Sequence, residues 1–332
     1  MRFGFKLSIH GQRPGTRFQD LVDLARRAED RGFNGVFVVD HLLLPGSRLQ
    51  GYSDAPPDQP YFVDAWTSLA AIAQATSRVR IGAQVTPIGL RHPAFVAKWG
   101  ATIDHISEGR LLMQVGAGHQ RVEYESYGLE FPPMAVRLER LREGIQVIRA
   151  LWDATPEANF NGDHYQLRDV PFFPKPVQAH PEIWLGGSSA AVRSIVADLG
   201  DGWTPAAPQH GGITPEVFAE GMSDIRSQVT DGRPITGGAL FHVVVSEDED
   251  EIERALARLR RREDWSGYDA AEFRRRAIAL TGPPARIVED IKTYEAAGLE
   301  YISLAATPID DLEVVKAMID AVGERVIPEF AP

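Results

Sequence analysis

Not one cysteine occurs in the 332 residues, which excludes disulfides, thiolate catalysis and every cysteine-ligated zinc or iron–sulfur centre. Long apolar runs are missing too, and none approaches the roughly 18 residues that a bilayer span requires. The amino terminus, Met1-Arg2-Phe3-Gly4-Phe5-Lys6-Leu7-Ser8-Ile9, alternates as a strand does and lacks the apolar core and small-residue cleavage site of a signal peptide. The expected location is therefore the cytoplasm, with no membrane partner. Positive charge is outnumbered by negative. The formal net charge is −11, which argues against nonspecific nucleic-acid binding, because that needs a basic face to neutralise phosphates. Lysine is confined to Lys6, Lys98, Lys175, Lys292 and Lys316. None of the nine histidines stands in a His-Glu-x-x-His or comparable spacing, so no metal site is expected. No internal repeat or low-complexity tract is visible.

What the chain does have is an alternation of strand and helix patterns almost from end to end. Short apolar runs lie at 3–9, 35–39, 79–85, 111–115, 182–186, 202–204, 239–245 and 300–304. Between most of them the spacing is helical, as in Phe18, Leu21, Val22, Ala25 and Ala28 with Gly32 as a stop. Eight such strands separated by helices predict an α/β fold, a (β/α)8 TIM barrel, in one domain over 1–332. Some segments exceed a minimal barrel and are expected as insertions, at about 120–135, 153–181 and 246–282. In the second, Asn161-Gly162 predicts a hairpin. The third sets Asp248 to Glu251 ahead of an arginine-rich helix, an order that suits the helix dipole. The proline- and glycine-rich stretch 44–61 is long enough for a lid.

Three places carry candidate chemistry. Phe37-Val38-Val39-Asp40-His41 is a buried-strand run that stops on an acid and an imidazole, so it delivers Asp40 and His41 to the rim where α/β proteins hold their sites. Gly116-Ala117-Gly118 follows a strand, and missing side chains there let backbone amides approach a ligand; a plain turn explains it equally. Arg121 stands where a dinucleotide fingerprint needs glycine. Gly186-Gly187-Ser188-Ser189 precedes a helix at 190–199 and forms an anion cradle, with a simple N-cap at Ser188 or Ser189 as the alternative. Ala190 breaks a nucleophile elbow. His119, just past the first glycine pair, is a second imidazole candidate.

In order along the chain, several motifs resemble the luciferase-like flavin and deazaflavin oxidoreductase superfamily. They are Asp40-His41, Gly82 to Pro87, Gly109-Arg110-Leu111 leading into Val115 to Gly118, Glu123-Tyr124, Tyr127-Gly128, Arg137 to Glu143, Pro181 to Gly187, Gly200 to Trp203, Gly282-Pro283-Pro284 and Ala296-Ala297-Gly298. The resemblance implies a cofactor ring lying across the carboxyl ends of the strands. Asp40, Gln84, Val85, Thr86, Gly116, Ala117 and Gly118 would lie around it, with a non-proline cis peptide at about Gln84-Val85. Its phosphate would be held by Gly186, Gly187, Ser188, Ser189 and the segment Trp203-Thr204. Relatives with Asp-His at the second strand include many that use coenzyme F420, a deazaflavin that transfers hydride, while others use reduced FMN with oxygen. The expectation is an F420-dependent oxidoreductase acting on a small molecule, with His41 as acid or oxyanion donor tuned by Asp40. Deazaflavin relatives often carry Trp or Glu where His119 stands, which leaves the proton donor open. The alternatives are an FMN-dependent monooxygenase and a non-catalytic flavin-binding barrel; a homodimer stands open beside a monomer.

Overall fold

The computed structural model describes residues 1–7, 10–12, 15–43, 61–153, 155–205, 212–257, 259–261, 265–306 and 311–330. The expected lid falls outside the described residues, apart from Tyr61, which with Phe62 pairs antiparallel to His10–Gln12.

Eight parallel strands, here called first to eighth, are Arg2–Leu7, Gly35–Val38, Arg80–Ala83, Met113–Gly116, Ile183–Leu185, Gly202–Trp203, Thr236–Val245 and Tyr301–Ala306. Each hydrogen-bonds its neighbour in a ring, from third through second and first to eighth, then down to fourth. The ring closes between third and fourth, where Ile81 N–H donates to Arg110 O at 3.0 Å and Leu112 N–H to Ile81 O at 2.8 Å. All eight expected runs are thus strands of one barrel. Even the two-residue sixth strand is laddered on both sides.

The period-two alternation decides what goes where. On the first strand Phe3, Phe5 and Leu7 face outward into the main core, against helix Phe18–Asp30 with its buried Leu21, Leu24, Ala25 and Ala28. Gly4 faces inward. The barrel interior is plugged by Phe37, Leu112, Trp184 and Tyr301, all buried. Glycines opposite them are spatial necessities: a Cβ on Gly35 would lie 2.1 Å from the Tyr301 hydroxyl, and one on Gly202 would lie 2.6 Å from the Trp184 ring. Close packing of this kind leaves no alternative filling without movement. The plug seals the amino-terminal end of the barrel and sets the floor of whatever lies above.

Glu29, at the end of helix Phe18–Asp30, pins the turn into the third strand by accepting from the amides of Ser77 (2.9 Å), Arg78 (2.6 Å) and Val79 (3.0 Å). Burial alone would raise its pKa; these hydrogen bonds outweigh that and hold the carboxyl below its usual range.

The expected hairpin exists as Ala158–Asn161 and Gln166–Val170. Its turn is longer than Asn161-Gly162 predicts, because the Glu143 carboxylate gathers the amides of Asp163, His164 and Tyr165 and stabilises a four-residue loop. The segment 246–282 builds a satellite core of Ile252, Leu256, Trp265, Phe273 and Ile278. It ends in an unanticipated strand, Ala279–Gly282, paired to the far end of the seventh. Helix Glu249–Leu256 starts on the Asp248 cap, with acids in its first turn as the dipole favours.

Candidate functional site

A cavity of about 300 Å³ opens at the carboxyl ends of the strands. Most of the sequence candidates converge on it: His41, Gln84, Val85, Gly116, Ala117, Gly118, His119, Gly186, Gly187, Ser188, Ser189 and Thr204. A wider groove of about 670 Å³ lies outside the barrel beside Thr214, Glu249, Arg274 and Asp290 and includes none of them.

Three candidates are elsewhere. Asp40 is fully buried and turned away from the cavity, paired with Arg91 at 2.8 Å and accepting from Trp66 Nε1 at 3.1 Å. Burial pushes its carboxyl up in pKa, and the neighbouring guanidinium opposes that shift. Trp203 faces outward and stacks on Phe218 with ring centroids 5.5 Å apart. It acts on the site indirectly, donating from Nε1 to Gly187 O at 2.6 Å and so fixing the glycine turn. Thr86 is buried in the short pairing of Thr86-Pro87 with the fourth strand, and Pro87 lines the cavity instead.

The partner of His41 is Glu123, not Asp40. Nδ1 of His41 lies 3.0 Å from Glu123 Oε2, and both side chains are almost completely enclosed. The second carboxylate oxygen of Glu123 accepts from the amides of Leu42 and Leu43, the latter at 3.2 Å. Helix Arg121–Ser126, inside the expected 120–135 insertion, therefore carries the group that orients the imidazole. With Nδ1 engaged, Nε2 is the nitrogen available to the cavity. The His119 ring stands against His41 edge to face, centroids 5.6 Å apart.

Gln84-Val85 is a cis peptide. The Val85 side chain wedges between two strand ends: a Cβ on Gly116 or on Gly186 would come within 3.0 Å of its methyl groups. Both glycines are thus explained by Val85, which is left as an apolar platform at the centre of the rim. Gln84 Nε2 donates to Ser303 Oγ at 3.1 Å and Thr204 Oγ1 at 3.3 Å, while its Oε1 is buried without a partner among the described residues. Gly118 takes a positive φ of 79° and lies under Tyr124, so its glycine serves the turn.

The anion cradle narrows. Gly186 N–H is committed to Val115 O at 2.9 Å, and Ser189 caps helix Ala190–Leu199 by accepting from Val192 N–H. The donors left to face the cavity are at Gly187 and Ser188, where φ of Gly187 is 117°. The helix dipole adds partial positive charge there. Among the described residues no cluster of three metal-ligating side chains occurs, and no described helix is long and apolar enough to cross a membrane.

Residues 1–301 match the luciferase-like monooxygenase family, and the chain belongs to that family. It is 35% identical over 204 residues to an F420-dependent glucose-6-phosphate dehydrogenase of Amycolatopsis mediterranei (strain U-32), covering 61% of this chain and 56% of that protein. To the protein of the same name from Nakamurella multipartita it is 28% identical over 99% of this chain and 96% of the other. A solved F420-dependent secondary alcohol dehydrogenase, in complex with an F420-acetone adduct, superposes with a TM-score of 0.82 at 22% identity over 100% of this chain and 99% of that one. This last similarity establishes the shared barrel.

Proposed function

We propose that the protein is a hydride-transfer oxidoreductase that uses coenzyme F420 and acts on a small alcohol or carbonyl compound. The observation that carries the reading is the His41–Glu123 pair opening into the cavity, beside a phosphate-sized turn at Gly187-Ser188. The F420-dependent relatives support the choice of cofactor.

The residues present fit such a group. Gly187 has the positive φ and the absent side chain that close approach of an anion demands. Val85 offers an apolar surface for a ring. When bound, coenzyme F420 supplies the hydride acceptor or donor. The chain carries the proton. The Glu123 carboxylate accepts from His41 Nδ1–H, so in the neutral ring Nε2 is the acceptor. His41 Nε2 then takes the hydroxyl proton of an alcohol as its carbon loses hydride, and returns it to the carbonyl oxygen in the reverse direction. Glu123 holds the ring in place and balances the imidazolium that forms.

Equilibrium binding by fluorescence tests the reading. Oxidised F420 should bind in the micromolar range or tighter, with FMN far weaker. Tight FMN and undetectable F420 would instead support the monooxygenase suggested by the family's name, and oxygen uptake would then be measured.

A further inference from the structure

Lys6 is one pleat above Gly4 on the inward face of the first strand, directly over the Phe37–Tyr301 plug, and it lines the cavity. No described carboxylate pairs with it, and burial alone pushes its ammonium down to about 8. Besides Lys6, the lining among the described residues holds His41 and His119 as ionisable groups and no acid. An ammonium so placed costs stability until a ligand brings the counter-charge. Gln84 also lines the cavity, but its Oε1 is closed off from it, buried and without a partner among the described residues. Among the described lining residues Lys6 is therefore a cationic donor without a counter-charge. The first and fifth strands are opposite one another in the ring, so Lys6 looks across the cavity at the Gly187-Ser188 turn.

We propose that Lys6 binds the imide edge of a pyrimidinedione ring, its Nζ donating to a ring carbonyl. This rests on the reading that a flavin-type cofactor occupies the cavity, and names the residue that senses its redox state. Addition of hydride to a neutral ring leaves one negative charge, delocalised onto that carbonyl edge. Lys6 then meets a counter-charge only in the reduced form. It favours reduced over oxidised cofactor, and raises the midpoint potential of the bound couple.

The test is anaerobic equilibrium binding of oxidised and of reduced F420 to the parent, Lys6→Met and Lys6→Arg. In Lys6→Met the ratio of reduced to oxidised affinity should fall at least tenfold, which for a two-electron couple lowers the bound midpoint potential by about 30 mV. Lys6→Arg should retain most of the preference. Lys6→Met should also melt no lower than the parent, since it removes an uncompensated charge. An unchanged ratio overturns the proposal, as does equal weakening of both forms or collapse of the Lys6→Met fold. Should the parent bind FMN and no F420, the choice of cofactor in the functional reading fails alone. The same ratio is then read with FMN, whose ring has the same edge. A parent that binds neither overturns both.

Discussion

Exchanging Glu123 for glutamine changes one atom and should disable the site. The two carboxylate oxygens have different duties: Oε1 faces the amides of Leu42 and Leu43, and Oε2 faces His41 Nδ1 at 3.0 Å. Two backbone N–H groups demand an acceptor, so the oxygen of the new amide must take the Oε1 place and its NH2 must face the imidazole. Nδ1 then has to accept, and the proton of the neutral ring moves to Nε2. The cavity meets a donor where it needs a base. General acid–base catalysis is worth about 100- to 10,000-fold; Glu123→Gln should therefore lower kcat/KM by at least about 100-fold, or about 2.7 kcal/mol of transition-state stabilisation. The loss must be equal for alcohol oxidation and carbonyl reduction, because the equilibrium constant ties the two directions together. Cofactor affinity should stay within a few-fold, since Gly187 and Ser188 are untouched. The assay is initial-rate loss or gain of deazaflavin fluorescence with an alcohol–ketone pair that the parent turns over, with thermal melting to confirm the fold. Parental kcat/KM in a folded variant would refute the assignment of His41 as the proton-transfer group oriented by Glu123.

Other consequences are independent of that pair. Gly187→Val puts a branched side chain at φ 117°, with its Cβ 3.2 Å from a Val192 methyl. It should weaken cofactor binding by at least about 1.4 kcal/mol, or roughly tenfold, while Ser194→Ala further along the helix leaves titrations unchanged. Glu29→Gln should cost about 2 kcal/mol in denaturant unfolding. Because the folded-state pKa of Glu29 is depressed, that advantage of the parent is full above the unfolded value of 4.5 and disappears as pH falls through the folded value. Lys6 acts with the same sign in a higher pH range. Its folded pKa of about 8 lies below the unfolded 10.5, so the unfolded chain holds more protons between them. The ligand-free parent should gain stability relative to Lys6→Met as pH rises through that window, and a flat difference between the two melting curves would contradict it.

Much of the barrel could be read from the chain because each strand is an apolar run with its own helix-period neighbour. The limits of such reading are geometric. Asp40 and His41 are adjacent in sequence and were expected to work together. Successive residues at a strand end point to opposite sides, so the rim divides them, His41 to the cavity and Asp40 to Arg91 and Trp66. The same parity sends Thr204 inward and Trp203 outward. Glu123 is far from His41 in sequence, on a six-residue helix inside an expected insertion, and entered only as part of the Glu123-Tyr124 motif. No local signal joins the two. Lys6, by contrast, was legible in principle, since it shares the inward face of the first strand with Gly4, and a lysine on the inner face of a barrel strand is rarely idle. The strand Ala279–Gly282 was hidden by its length and by the arginine-rich helix before it.

The aromatic plug has a consequence for traffic. With Phe37, Leu112, Trp184 and Tyr301 closing one end, the chamber is a cul-de-sac, and everything that visits it arrives and departs by the same rim. Visitors must queue. A ring settled on Val85 and Gln84 lies beneath whatever comes next, so the second arrival is the first to leave. Turnover should therefore be ordered, cofactor before substrate and product before cofactor, as a property of the barrel's shape rather than of any single contact.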